Sequence, residues 1–384
     1  MWASRSPRRP SRRSPCSPSG RCTRSSPFGT WGSAANTQLD QLALLQLASV
    51  TGIAGVSFLV YWVAASLEAL LDRRERPRVR HAAAAVLTVL VVIAGGQARL
   101  AVSGARSEDT VRVAAVDTDA TLAGLPLPDP EEVRAVDDAL FHRSREAARA
   151  GARLVVWQEA GTLVMPEGEP AFVERVRELA RTERVHVAAA YIVPVALDPL
   201  LYENVSLHVT PEGRVAHRYL KHHPVPGEPA VPGRGPSPVV VDEVIGRVST
   251  ALCYDYDFPR LGLHHARLNV DLVTLPSSDW RGIDPLHTEM AAVRAIEGGH
   301  SIVRATRFGR SAAIDPYGRV RASHDWFDRG TRVMTAELPR RGVTTIYAVV
   351  GDAIVAASGA FVLLLVAMAR RRRRALAPER RAVT

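Results

Sequence analysis

The segment Asp129–Glu159, DPEEVRAVDDALFHRSREAARAGARLVVWQE, joins a helical pattern to a short apolar run, and its reading decides the fold. Asp129 can cap a helix and Pro130 suits its first position. Val133, Val136, Leu140 and Ala147 then fall on one face. Arg153–Glu159 (RLVVWQE) has no polar alternation, as expected of a strand covered on both sides. Similar runs stand at Arg112–Asp119 (RVAAVDTD) and His186–Val193 (HVAAAYIV), with a second helical pattern at 171–182. Two hairpin-like stretches follow: 204–223, turning at Pro211-Glu212-Gly213, and 239–253. A further strand, VDLVTLPSS, precedes a helix opened by Asp284-Pro285 and closed by Gly298-Gly299. Such alternation predicts an α/β layered domain, placed here at 103–345.

The chain around that domain is of another kind. No charge occurs from Gln41 to Leu67, a stretch longer than the ~20 residues that cross hydrocarbon, with Tyr61 and Trp62 near its end. A second apolar block runs from Ala82 to Ala98 and a third from Ile346 to Ala369. The expected organisation is a disordered Ser/Arg/Pro-rich tail at 1–37, two transmembrane helices in 38–102, a C-terminal one at 346–369 and a basic tail at 370–384. The loop 72–81 holds five arginines and Arg370–Arg374 five more, which the positive-inside rule places in the cytoplasm. The domain between them then faces outward. Three crossings leave the Arg-rich N-terminus on the outer side too, so the expectation is that further membrane helices belong in front of this chain.

The 384 residues carry 49 Lys+Arg against 39 Asp+Glu, a net charge of +10, and 47% are apolar. Disorder throughout is excluded by that apolar share, and three cysteines cannot staple a chain of this length. No aromatic-basic platform accompanies the charge, so nucleic acid is not an expected partner; the arginine runs suit anionic lipid headgroups instead.

Three polar residues stand where the pattern predicts strand ends: Glu159, Lys221 and Cys253. Loops beyond strand ends are where α/β domains place their sites. A thiol becomes a nucleophile when a base takes its proton, a sheltered carboxylate can be that base, and an ammonium can hold both the carboxylate and a developing oxyanion. Each residue alone has an ordinary reading: a core cysteine, a solvated glutamate, a surface lysine. The twelve histidines show no metal spacing such as HExxH, and phosphate-loop patterns are absent, so no metal or cofactor is expected. Cys253 is the one cysteine of the outer segment; Cys16 and Cys22 receive no role.

In order and context, VVWQEA, YLKHHPVPGEPAVPG and ALCYDYDFP resemble the Glu-Lys-Cys triad of the carbon–nitrogen hydrolases, the nitrilase superfamily. The stretches SPFGTWGSAANTQ, LLQLASVTGIAGVSFLVYW and TTIYAVVGD resemble its integral-membrane branch, the apolipoprotein N-acyltransferases. The resemblance implies a nitrilase-like α-β-β-α sandwich attached to transmembrane helices, in the cell membrane. It makes Cys253 the nucleophile, Glu159 the general base and acid, and Lys221 the transition-state stabiliser. Glu228 matches the additional family glutamate, Tyr254 the aromatic after the nucleophile, and Asn204 an asparagine of the hairpin. The implied substrates are a phospholipid acyl donor and a lipoprotein acceptor. Departures are Asp255 for a usual Glu, Ser277-Ser278-Asp279-Trp280 for Asn-Asp-Ala-Trp, and Arg307 for Asn. The alternatives are a membrane-tethered amidase or nitrilase and an inactive membrane scaffold.

Overall fold

The computed structural model describes residues 27–71, 79–104, 109–119, 126–328, 330 and 332–375. Residues 1–26 with Cys16 and Cys22, most of the basic loop, and 376–384 lie outside them.

Twelve strands form two six-stranded sheets among the described residues. The first contains β1 (Thr110–Val116), β2 (Leu154–Trp157), β3 (His186–Leu197), β4 (Leu200–Val209), β5 (Val215–Leu220) and, at its other edge, β12 (Val333–Pro339). The second contains β6 (Val239–Asp242), β7 (Gly246–Thr250), β8 (Leu272–Ser278), β9 (Ser301–Arg307), β10 (Arg310–Ile314) and β11 (Val320–Asp325). β1, β2 and β3 are parallel neighbours, in the registers Val113↔Leu154 and Val155↔Val187. β7, β8 and β9 repeat that arrangement, with Val248↔Leu272 and Leu272↔Ser301. Both sheets continue through two antiparallel strands and carry one antiparallel strand at the opposite edge. The halves thus share one topology with no repeat visible in the sequence.

Burial explains why the β2 run is wholly apolar. Leu154 and Val156 face the core between the sheets, with Val248, Leu272 and Val303. Val155 and Trp157 point the other way, under the helices Pro130–Arg149 and Glu169–Glu183. Asp129 accepts from the Glu131 N–H at 2.7 Å, as its capping position predicts, and Val136, Leu140 and Ala147 are buried. Helices Pro259–Arg267 and Leu286–Gly298 cover the outer face of the second sheet. Four layers result, helix–sheet–sheet–helix.

Among the described residues three helices are long and apolar enough to cross a membrane: Ile53–Leu71, Val79–Ser103 and Ala353–Arg372. Their limits differ from the hydropathy reading in a consistent way. The uncharged run from Gln41 is broken at Gly52, whose φ of +66° lets the chain turn where a side chain would strike the Tyr347 ring. Before the break, Leu42–Leu45 and Ala48–Thr51 pack on Val293 and Ile296 of the domain instead of extending the long helix. The third block is divided likewise: Ile346–Val350 lies on the domain with Tyr347 buried, and Gly351 (φ +56°) precedes the long helix. Residues 27–37, expected in the tail, are folded. The Trp31 indole N–H donates to Asp257 at 2.6 Å, and Asn36 Nδ2 donates to the carbonyls of Thr30 and Trp31.

Candidate active site

Glu159 stands two residues past β2, Lys221 directly after β5, and Cys253 three residues past β7, all essentially buried. Lys221 Nζ donates to Glu159 Oε1 and to Glu228 Oε2, both at 2.8 Å. Asn204, on β4, donates through Nδ2 to Glu159 Oε1 at 2.8 Å and to Glu228 Oε1 at 3.0 Å. One amide and one ammonium therefore hold the two carboxylates together. The far oxygen of Glu159, Oε2, is buried and has no partner. Consecutive residues of β8 join this group to the thiol: the Glu159 N–H donates to the Ser277 carbonyl at 3.3 Å, and Cys253 Sγ donates to the Ser278 carbonyl at 3.5 Å.

The backbone is unusual at the same place. Five non-glycine residues have positive φ among the described residues. Arg184 and Asn269 end helices; the other three are Ala160 after Glu159, Cys253 itself and Phe308 after Arg307. Left-handed backbone at residues with side chains is costly and clusters where a site requires it. Asp255 fixes the turn around Cys253: its buried carboxylate accepts from the Leu252 and His223 N–H groups and from the Tyr219 hydroxyl. Tyr254 donates from its hydroxyl to the Pro27 carbonyl at 2.7 Å, tying the turn at Cys253 to the N-terminal segment.

Burial pushes the Cys253 thiol well above its usual range, the Glu159 charge pushes it further, and Lys221 only partly opposes them. Burial pulls Lys221 the other way, but Glu159, the sulfur and Glu228 outweigh it, so the ammonium stays protonated. The sulfur therefore rests as a thiol and Lys221 as an ammonium. A thiol in that state needs its proton taken as it attacks, and the unpartnered oxygen of a carboxylate is suited to that.

A second buried group lies against Cys253, and sequence reasoning did not find it. His287 donates from both ring nitrogens, Nδ1 to Asp279 at 2.7 Å and Nε2 to Asp257 at 2.9 Å. Arg304 donates to both oxygens of Asp279, at 2.8 and 3.0 Å. Burial alone lowers the His287 pKa, but the two aspartates raise it to about 9. Asp279 falls to about 2 because Arg304 and His287 overcome its burial. One atom each of Cys253, Asp279 and His287 lie within 4.8 Å of one another, a spacing that a metal ion could use. The donors are already committed, however: both His287 nitrogens and both Asp279 oxygens have protein partners. No motif spacing signals this group, since Trp31, Asp257, Asp279, His287 and Arg304 meet only in three dimensions.

Comparison with known proteins relates the chain to others by sequence and by fold. A sequence model described as carbon-nitrogen hydrolase matches residues 132–347. A second, described as apolipoprotein N-acyltransferase N-terminal domain, matches residues 22–66. An apolipoprotein N-acyltransferase of Pseudomonas aeruginosa PAO1 is 27% identical over 243 residues, 56% of this chain and 46% of the relative. One from Azotobacter vinelandii is 28% identical over 246 residues, again 56% and 46%. The chain spans about half the length of the curated relatives it matches. Among solved structures, an amidase from Nesterenkonia sp. AN1 in complex with butyramide superposes with a TM-score of 0.52 at 19% identity, covering 66% of this chain and 98% of the amidase. That likeness shows the sandwich fold.

Proposed function

The chain belongs to the carbon–nitrogen hydrolase family, and from that premise we propose that it is an apolipoprotein N-acyltransferase working by two acyl transfers at Cys253. Glu159 accepts the Sγ proton as the sulfur attacks the ester carbonyl of a membrane phospholipid. The oxyanion is held by Lys221 and by the backbone N–H of Tyr254. As the C–O bond breaks, Glu159 returns the proton to the glycerol oxygen, and a lysophospholipid leaves. The α-amine of a lipoprotein's diacylglyceryl-cysteine then attacks the thioester. Glu159 takes the amine proton, the C–S bond breaks, the proton passes to Sγ, and an amide remains. Thioesters are readily aminolysed and amides are stable, which gives the sequence its direction.

The observation that most supports these roles is the unequal use of the Glu159 oxygens: Oε1 is fixed by Lys221 and Asn204, while Oε2 is buried with nothing to accept from. Glu228 and Asn204 are positioning residues here, and Tyr254 supplies its backbone. No cofactor enters these steps. The three long apolar helices suit lipid-borne substrates, because tethering both reactants in one bilayer removes much of the entropy of encounter. The arginine run that ends the last helix favours a plasma or inner membrane position, multi-pass, with the catalytic domain on the outer face. Residues 27–38 and the short helices after them join domain to membrane segments.

The amidase fold neighbours keep a second reading in play, in which water resolves the thioester and a small amide is the substrate. Mass spectrometry of lipoproteins from cells with and without the protein separates the two. The proposal expects one added acyl chain on the N-terminal cysteine. Unchanged lipoprotein mass, together with hydrolysis of a soluble amide, would contradict it.

A further inference from the structure

Arg307 ends β9, opposite Ser278 in the parallel register, and its side chain enters the site just described. Its Nε donates to Ser278 Oγ at 2.8 Å, and the carbonyl of that same serine accepts from Cys253 Sγ at 3.5 Å. One residue thus separates the guanidinium from the sulfur. Arg307 is only 8% exposed, and its Nη1 has no hydrogen-bond partner. It forms no ion pair among the described residues, because the nearby carboxylates Glu159 and Glu228 are shared between Lys221 and Asn204. A buried cation with an unmet donor is unfavourable unless something supplies the acceptor. The Phe308 backbone, at φ +55°, turns the chain directly behind it.

We propose that Arg307 receives the phosphodiester of the glycerophospholipid acyl donor, placing the donor's ester carbonyl over Cys253. The inference rests on the acyltransferase reading above and names which part of the substrate this side chain holds. A guanidinium suits this role, since with Nε fixed on Ser278 its outer N–H groups present a fork that matches two oxygens of a phosphate. In the donor, the phosphate and the acyl ester sit on one glycerol, so a phosphate held by Arg307 brings the ester to the neighbouring sulfur. The acceptor brings an amine, not an anion, to the same pocket, so the anion belongs to the first half-reaction. Arg307 acts in binding, and Lys221 acts on the reacting carbonyl.

The test is the rate at which Cys253 becomes acylated in detergent micelles, followed by intact-protein mass, with two donors. One is 1-palmitoyl-2-oleoyl phosphatidylethanolamine; the other is p-nitrophenyl palmitate, a neutral ester with no phosphate. Arg307→Asn is expected to raise KM for the phospholipid roughly 10- to 100-fold, the size of a lost charge-assisted contact, with the maximal rate largely kept. Acylation by the nitrophenyl ester, which has no phosphate, is expected to fall far less, so the ratio of the two donors reports the phosphate contact, and a retained thermal midpoint shows that the variant is folded. Arg307→Lys falls between, because an ammonium keeps the charge without the fork. Equal slowing with both donors, or with neither, would overturn the proposal. If the wild type is acylated by the nitrophenyl ester but by no phospholipid, the acyltransferase reading itself fails and this inference with it.

Discussion

The two sheets share strand order and direction, yet the carboxylates that end their middle parallel strands are held in opposite ways. After β2, Glu159 has one oxygen bound by an ammonium and an amide and one oxygen free. After β8, Asp279 has both oxygens occupied by Arg304 and His287. Both are buried, both face a cation, and both lie near Cys253. The lesson is that burial and a cationic neighbour do not by themselves make a reactive carboxylate. What distinguishes Glu159 is an oxygen with nothing to accept from, whereas Asp279 is saturated and sits as a fixed anion beside Cys253.

The sharpest break in that comparison comes from exchanging each acid for its amide. Glu159→Gln removes the proposed base and should lower acyl transfer by about 10²–10⁴-fold, the range for general acid–base groups. Lys221 keeps Glu228 as its partner at 2.8 Å, so the thermal midpoint should move little. Asp279→Asn should do the reverse. It leaves Arg304 without its buried counter-ion and is expected to cost about 3–5 kcal/mol of stability, read as a lower midpoint in detergent. Equal stability losses in the two variants would erase the distinction drawn here.

A smaller effect should appear with pH. His287 has its pKa raised from 6.5 to about 9 in the folded chain, so the stability it contributes is complete below pH 6.5 and is lost as pH rises through 9. Thermal midpoints measured from about pH 6 to about pH 10 should therefore decline on the alkaline side, and His287→Gln should flatten that decline. An unchanged alkaline slope in the variant would detach His287 from the Asp279 group. The acid side belongs to other residues. His217, half-buried on the edge strand β5, has its ring nitrogens shielded and is lowered by desolvation from 6.5 to about 4, so its contribution is present above pH 6.5 and lost as pH falls toward 4.

Smallest of all is the effect at Trp31, where the second group reaches the segment leading to the membrane helices. Trp31→Phe keeps the ring beside His287, whose centroid is 5.4 Å away, and removes the hydrogen bond to Asp257. The expected loss is about 1.5–3 kcal/mol, the worth of one hydrogen bond to a charged acceptor. A midpoint identical to the wild type would mean that residues 27–37 only lean on the domain.

Much of this is legible in the sequence. Apolar runs at 112–119, 153–159 and 186–193, with an amphipathic helix between the first two, leave few alternatives to a layered α/β domain. Glu159, Lys221 and Cys253 can be singled out because each is a reactive type at a predicted strand end. What the sequence withholds depends on contacts between distant residues. Hydropathy cannot see that Gly52 divides an uncharged run, because the parts on either side are equally apolar; at Gly351 the single mark is Asp352, which interrupts the third block near its start. The stretch 27–37 reads as a continuation of the tail because its anchor, Asp257, lies more than two hundred residues away. Arg307 is visible only as a departure from a resemblance, since nothing in its neighbours announces an unpaired guanidinium.

The central claim is that Cys253 carries the acyl group between donor and acceptor. Incubating the chain with a phospholipid in micelles, without acceptor, and weighing the intact protein measures this directly. The prediction is a mass increase of one acyl chain, located on Cys253 by fragmentation, absent in Cys253→Ala and discharged by adding a lipopeptide with a free N-terminal diacylglyceryl-cysteine. A wild-type mass that never changes, or acyl transfer that persists in Cys253→Ala, would contradict it.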